Sequence, residues 1–435
     1  MVKIIGGGLA GCEAAWQLAR FGIESVIYEM KPEKYTPAHH YKGLAELVCS
    51  NSLKASRHDS AAGLLKEEME MLGSVIVPSA KENAVEAGGA LAVDREKFSD
   101  TVTEKIKSNP LIRVEEKEIE EIPEGYVIIA TGPLTSGGLA ESIQKKCGNY
   151  LSFYDAAAPI VTYESLDKDK VFFASRYDRG DADYINCPMD KEEYLRFYNE
   201  LIKAEGAELH EFDKRDFRVY EGCMPVEVLA KRGEDTMRFG PLKPVGLIDK
   251  RTGRRPYAVV QLRKENSEGT LYNLVGFQTN LKFGEQKRVF SLIPGLENAE
   301  FMRYGVMHRN SFIDSPKLLS PDYSLKTDPE IFFAGQITGV EGYIESAASG
   351  IMAGINMARR IKGEAPLILP PETMIGALTG YISGGCSGTF QPMGCNMGIL
   401  PDLPERIKDK KMKYSAYADR AIEALRALLI SGKEF

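Results

Sequence analysis

The chain of 435 residues is 43% hydrophobic and 27% charged, and 55 Lys+Arg against 62 Asp+Glu leave a net charge of −7. This is the make-up of an ordinary globular protein long enough for two or three domains, and its acidity argues against indiscriminate nucleic-acid binding, though not against a local basic face. No apolar run approaches a membrane span, no secretory signal precedes the first strand, and seven scattered cysteines without C-x-x-C suit reduced thiols rather than a disulfide framework, a zinc ribbon or a redox pair. A cytoplasmic protein is therefore expected, without membrane association and without a metal, since the five histidines form no ligand pattern.

Val2 to Ile5 read as a short buried strand. Gly6-Gly7-Gly8-Leu9-Ala10-Gly11 follows, with Gly6, Gly8 and Gly11 in G-x-G-x-x-G spacing, and then a helix, Glu13 to Arg20, that Gly22 ends. The first glycine permits the tight turn, the second lets backbone approach a pyrophosphate, and the third brings helix and strand together. The helix N-terminus supplies free N–H groups and positive potential for the phosphates. Glu24 to Tyr28 read as the next strand, and Glu29 at its end is placed to accept from a ribose diol. Strand, glycines, helix, strand and acid in that order specify a dinucleotide site. They do not separate FAD from NAD(P).

Lys31 to His40 is a loop over the adenosine end or toward the active site. In Ala45-Glu46-Leu47-Val48-Cys49-Ser50-Asn51-Ser52-Leu53, two readings compete. One is a helix start capped by Ser50, Asn51 or Ser52 with Cys49 buried; the other is a reactive thiol near a helix N-terminus. Ala61 to Leu72 is an amphipathic helix stopped by Gly73, Glu96 to Lys107 another, and Arg113 to Glu121 strand plus turn. At Tyr126 to Gly132 a buried strand runs into Ala130-Thr131-Gly132, a small-residue turn of the kind that lies beside FAD in two-dinucleotide-fold flavoproteins.

From about Tyr154 to Gly295 the pattern changes. Strand-like segments occur at Val171 to Ala174, Tyr257 to Leu262 and Tyr272 to Phe277. A helix is predicted over Lys191 to Lys203, with Asp190 and Glu193 as a capping box and an aromatic face that belongs to a core. No second glycine fingerprint appears, which suggests an inserted substrate domain. Within it, Tyr220-Glu221-Gly222-Cys223-Met224-Pro225 holds a cysteine in a bend, either structural or presenting a thiol. A run of basic residues follows, including Arg254, Arg255 and Lys282, and hints at a polyanionic partner.

The chain returns to the first domain near Arg303 to Asn310. An apolar strand, Ile331 to Ala334, ends at Gly335-Gln336, and Gly342-Tyr343-Ile344-Glu345-Ser346 leads into a small-residue helix, Ala347 to Arg360. Flavoproteins complete the FAD site with such a segment. A last amphipathic helix spans Ser415 to Ile430, with Ile422, Leu425, Leu428 and Leu429 inward.

Taken together, Thr36 to His40, Glu46 to Leu53, Ala87 to Arg95, Glu221 to Pro225, Arg238 to Pro244 and Phe332 to Ala353 resemble the folate- and FAD-dependent tRNA (uracil-5-)-methyltransferases over essentially the whole chain. A related flavoprotein group that builds carboxymethylaminomethyl-uridine shares the FAD strings, but the pattern around both Cys49 and Cys223 is not expected of it. The resemblance implies an α/β fold: a Rossmann-like, glutathione-reductase-like FAD-binding domain (1–153 and 301–435) with an inserted α+β domain (154–300) for substrate and tRNA. It implies methylation of C5 of uridine 54 in the tRNA T loop, with 5,10-methylenetetrahydrofolate as carbon donor and FAD reduced by NAD(P)H. Cys223 would add to C6 of uracil, and Cys49 would be the second essential thiol, the base at C5 or a guard of the flavin; the reverse assignment stays open. Tyr343 would lie by the isoalloxazine and His308 would stack on the folate. Arg254, Arg255 and Lys282 would hold the tRNA backbone. A small-molecule flavin oxidoreductase and a non-catalytic FAD-bearing tRNA-binding protein are the rivals; neither needs two isolated thiols in distant loops.

Overall fold

The computed structural model describes residues 1–148, 150–178, 182–207, 224–385 and 390–430. Strand Val2–Ile5 lies at the centre of a six-stranded sheet, parallel to Ser25–Glu29 on one side and Val127–Ile129 on the other. Ile112–Glu116 and Asp328–Phe333 extend it in parallel, and Ser324–Leu325 closes one edge antiparallel. Ile4, Val127, Ile128, Ile129, Phe332 and Phe333 are fully buried, as strands covered on both faces require. Helices Leu9–Arg20 and Tyr343–Ile361 cross at glycines. A Cβ on Gly350 would meet the Ala10 carbonyl oxygen at 2.2 Å, and one on Gly11 would meet that of Gly6 at 1.9 Å. The second helix starts one turn before the small-residue run that predicts it, because its first turn carries Tyr343 and Ser346, which face a cleft.

A second six-stranded sheet is antiparallel throughout, in the order Phe172–Phe173, Tyr184–Met189, Ala258–Lys264, Leu271–Leu274, Ile160–Thr162 and Phe301–Arg303. Helices Lys191–Lys203, Val226–Ala230 and Phe283–Phe290 share a separate core with it, built from Tyr194, Phe197, Leu201, Val226, Phe277 and Phe290. The capping box read from the sequence is present. The Glu193 amide donates to Asp190 Oδ1 at 2.9 Å and the Asp190 amide to Glu193 Oε2 at 2.8 Å. An antiparallel ribbon of Leu151–Ala156 and Met307–Phe312 joins the two lobes.

Two expectations are corrected. Ser50, Asn51 and Ser52 start no helix: Ser52–Ala55 is a strand, paired with Ala90–Val93. The side chains expected to cap are engaged elsewhere, Ser50 Oγ by Arg263 and the Asn51 amide by the carbonyls of Val93 and Lys264. The last helix runs Lys410–Ile430 and buries Tyr417, Ala418, Ala421 and Leu425, leaving Ile422, Leu428 and Leu429 half-buried.

A buried acid ties the C-terminal segment to the first lobe. Glu68, on helix Ala61–Met71, accepts from the amides of Met374 at 2.7 Å and Ile375 at 2.8 Å, filling the N-terminus of helix Met374–Gly380. Burial pushes this carboxyl up to about 8, and Glu13, which accepts from the amides of Val75 and Ile76, up to about 7. Below the ordinary carboxylate pKa both groups are protonated in folded and unfolded chains alike. As pH rises, the unfolded chain releases these protons first, so stability falls until the folded groups ionise near 7 to 8. Denaturant titrations at pH 5, 7 and 9 are expected to show this decline, and Glu68→Gln to lose much of it; an unchanged slope in the variant would contradict the assignment.

Candidate active site

The carboxyl ends of the parallel strands Val2–Ile5, Ser25–Glu29, Val127–Ile129 and Asp328–Phe333 open onto one cleft, the usual ligand position in such sheets. The cleft encloses about 1170 Å³, including space open to solvent, and is walled by Gly6, Gly8, Leu9, Ala10, Glu29, Ala130, Thr131, Gly132, Gly335, Gln336, Tyr343 and Ser346. Four segments spread over more than 300 residues thus meet at one place. Gly7 and Gly11 stand behind this wall. The Gly7 amide donates to Glu29 Oε2 at 2.9 Å, and Gly11 packs against Gly6.

Two features of the wall suit a dinucleotide. Helices Leu9–Arg20 and Tyr343–Ile361 both begin at the cleft, and their N-cap residues, Gly8 and Gly342, make no side-chain capping bond. Four other helices are capped by a side chain, from Ser60, Asp94, Asp190 and Thr373. The orphan N–H groups at the cleft therefore remain for a ligand's oxygens, and the positive helix ends favour negative charge there. Glu29 is nearly buried, and each of its oxygens accepts one backbone bond, from Gly7 and from Lys31 at 3.0 Å. A carboxylate has about four acceptor positions, so the fixed Glu29 can still receive a ribose diol.

The loop after Glu29 forms a further wall through Thr36 and His39, which the sequence pattern did not assign. It is held by Glu46, whose Oε1 accepts from the amides of His40 at 2.7 Å and Tyr41 at 3.0 Å, and whose Oε2 pairs with buried Lys31 at 3.0 Å. Burial, with Lys31 beside it, holds His39 below the usual imidazole range. A strand-end acid followed by a long Pro-containing loop is the only local signal of this wall.

Cys49 stands one step back from the cleft, behind Val48 and Tyr343. The Tyr343 hydroxyl accepts from the amides of Cys49 at 2.7 Å and Ser50 at 3.2 Å. Burial pushes this phenol up, so it stays neutral. The Cys49 thiol lies 3.8 Å from the Ala156 carbonyl oxygen, on the ribbon between the lobes. Arg95, Arg263 and Arg303 grip the rest of the loop; no helical or strand periodicity announces where such charges converge.

The other expected site residues lie farther out. Cys223 falls outside the described residues, which resume at Met224 and enter helix Val226–Ala230, tied to the segment after strand Leu271–Leu274 by the Val226 amide donating to the Gln278 carbonyl at 2.7 Å. His308 sits on ribbon strand Met307–Phe312, opposite Asp155. Arg254 and Arg255 are exposed and line a surface concavity with Lys170, Lys191 and Arg251. Lys282 is not part of that concavity; it pairs with Glu205 at 2.7 Å.

The profile of the family described as glucose inhibited division protein A matches residues 1–365. The chain is 62% identical over 426 residues to the methylenetetrahydrofolate–tRNA-(uracil-5-)-methyltransferase TrmFO of Desulfitobacterium hafniense, covering 98% of this chain and 97% of that protein. It is 59% identical over 423 residues to the protein of the same name from Enterococcus faecalis, covering 97% of each. Among solved structures, Aquifex aeolicus GidA superposes with a TM-score of 0.71 at 17% identity, over 98% of this chain and 73% of that one. At that identity the likeness establishes a shared fold, and it agrees with an α/β chain built on a Rossmann-like sheet.

Proposed function

The chain belongs to the glucose inhibited division protein A family and, within it, to the methylenetetrahydrofolate–tRNA-(uracil-5-)-methyltransferases; from this premise we propose how its residues divide the work of methylating C5 of uridine 54 in the tRNA T loop. The observation that supports the division is the Tyr343 hydroxyl, which joins the wall of the dinucleotide cleft directly to the backbone of the Cys49 loop. FAD held in this cleft and reduced by NAD(P)H supplies the electrons that turn the one-carbon unit of 5,10-methylenetetrahydrofolate into a methyl group.

The residues fit that cofactor. Orphan N–H groups at Gly8 to Ala10 would hold the pyrophosphate, Glu29 would hold the ribose, Thr131 and Gly132 would contribute to the flavin end of the site, and the helix beginning at Tyr343 would supply positive potential favourable to a reduced, anionic flavin. Residues 1–153 and 301–435 make this domain, and 154–300 the domain that receives tRNA. The target base leaves the T-loop stack to reach the flavin. Carbon 5 of uracil is a weak nucleophile. Addition of the Cys223 thiolate to C6 makes C5 an enolate-like carbon that attacks the one-carbon electrophile, whose bonds to the folate nitrogens break to release tetrahydrofolate; Cys49 takes the C5 proton, and departure of Cys223 restores the ring. His308 stacks on the folate. No helix among the described residues is long and apolar enough to cross a membrane, and we place the enzyme with its tRNA in the cytoplasm.

Incubation with unmodified tRNA, methylenetetrahydrofolate and NAD(P)H is expected to yield 5-methyluridine at position 54, read by nuclease digestion and mass spectrometry. Flavin oxidation without that nucleoside would favour a small-molecule oxidoreductase instead. Glu29→Ala removes the ribose acceptor and is expected to weaken FAD about tenfold or more, measured by titrating the apoprotein; unchanged affinity would remove Glu29 from the site. Arg254→Ala with Arg255→Ala is expected to flatten the dependence of log K for tRNA on log salt by about one to two units. An unaltered salt dependence would place the tRNA backbone elsewhere.

A further inference from the structure

Three arginines converge on the loop that carries Cys49, and they come from both lobes. Arg95, at the start of helix Arg95–Lys107, donates through Nη1 to the Leu47 carbonyl at 2.7 Å and through Nη2 to the Cys49 carbonyl at 3.3 Å. Its Nε and Nη2 also pair side-on with Glu265 of the second lobe, at 2.7 and 3.2 Å. Arg303, on the edge strand Phe301–Arg303 of the second sheet, donates to the Val48 carbonyl. Arg263, on Ala258–Lys264, donates to Asn51 Oδ1 at 3.0 Å and Ser50 Oγ at 2.8 Å. The three successive carbonyls of Leu47, Val48 and Cys49 and the side chains of Ser50 and Asn51 are thereby all held by arginines.

A loop needs no cations merely to stay in place; neutral donors would serve. Burying guanidinium groups costs free energy unless they are paired. Arg95 is mostly buried and is held charged against that burial chiefly by Glu265; burial, with Arg95 beside it, pulls Arg303 down. Both interact electrostatically with the Cys49 thiol. Among the described residues, the neutral Tyr343 phenol, the Glu265 carboxylate and the Arg263 guanidinium on Ser50 and Asn51 also belong to this cluster.

We infer that Arg95 and Arg303 are positioning residues that fix the Cys49 loop and stabilise its thiolate, and that Glu265 moderates this effect from the opposite lobe. The inference rests on the reading of Cys49 as a thiol of methyl transfer, and it makes the thiol's reactivity depend on how the lobes meet. Positive charge beside a thiol favours the anion, which is the reactive form.

The test is the pH dependence of iodoacetamide alkylation of Cys49 in the FAD-loaded protein, followed peptide by peptide by mass spectrometry. Arg95→Gln is expected to slow alkylation at pH 7.5 about tenfold and to move its profile to higher pH, with Arg95→Lys partly restoring it. Glu265→Gln is expected to act in the opposite sense and speed alkylation. An Arg95→Gln protein that melts earlier but keeps the wild-type profile would overturn the inference. So would a Glu265→Gln protein with unchanged or slower alkylation, which also decides the matter should Arg95→Gln fail to fold. In turnover, Arg95→Gln is expected to lower kcat more than it raises KM for tRNA. Should wild-type protein make no 5-methyluridine while alkylation responds as stated, the assignment of function fails and the arginine clamp stands.

Discussion

Cys223→Ala is expected to lower 5-methyluridine formation at least about 10³-fold while the protein keeps its FAD and its melting temperature. The argument is chemical. Without addition at C6, C5 of uracil carries too little electron density to attack a one-carbon electrophile, and no oxygen nucleophile both adds and leaves as readily as a thiolate. Among the described residues, the dinucleotide cleft is lined by residues 5–48, 117–139 and 335–346. Removing this one thiol is expected to leave that lining in place. The measurement is single-turnover methylation with the flavin spectrum recorded in parallel. More than a tenth of wild-type activity in Cys223→Ala would show that another group activates the base, and the exchange of roles with Cys49 would then be tested with Cys49→Ala.

Gly350→Val is expected to have the largest structural effect. Helices Leu9–Arg20 and Tyr343–Ile361 touch backbone to backbone, and a Cβ at position 350 would lie 2.2 Å from the Ala10 carbonyl oxygen and 2.7 Å from its Cα. Neither atom belongs to a flexible side chain, so the helices must separate. Overpacking of this kind costs about 3 kcal/mol or more. Both helices open onto the dinucleotide cleft, Leu9 and Ala10 on one side and Tyr343 and Ser346 on the other, so their separation also displaces the N–H groups that face the ligand. The expected result is a protein purified without flavin colour and melting several degrees lower. Gly284→Ala, at an open helix position with no neighbour within 4 Å of the added methyl, serves as control. A yellow, normally stable Gly350→Val protein would show that the helices tolerate wider spacing.

The dinucleotide element was legible because all its information is local. Strand, glycine turn, helix and acid lie within the first 29 residues, and each follows from spacing. Helix Lys191–Lys203 was equally legible, since capping box and apolar face belong to one segment. The segment around Cys49 was misread for a physical reason. Ser and Asn beside an apolar run have the composition of a helix cap, but their side chains are bound by Arg263 and by carbonyls from two other strands. Local propensity yields where partners distant in the chain, two of them 213 residues away, satisfy the same groups.

By itself, then, the sequence determined the Rossmann-like element, the small-residue helix near its other end, and, through long shared strings, membership of a methyltransferase family. Only the tertiary structure decided what surrounds the Cys49 thiol. Arg95, Arg303 and the pair Arg263 and Glu265 come from three separate segments, and spacing along the chain says nothing about where a long side chain ends. Their convergence results from two lobes closing on one loop, which a one-dimensional pattern does not encode.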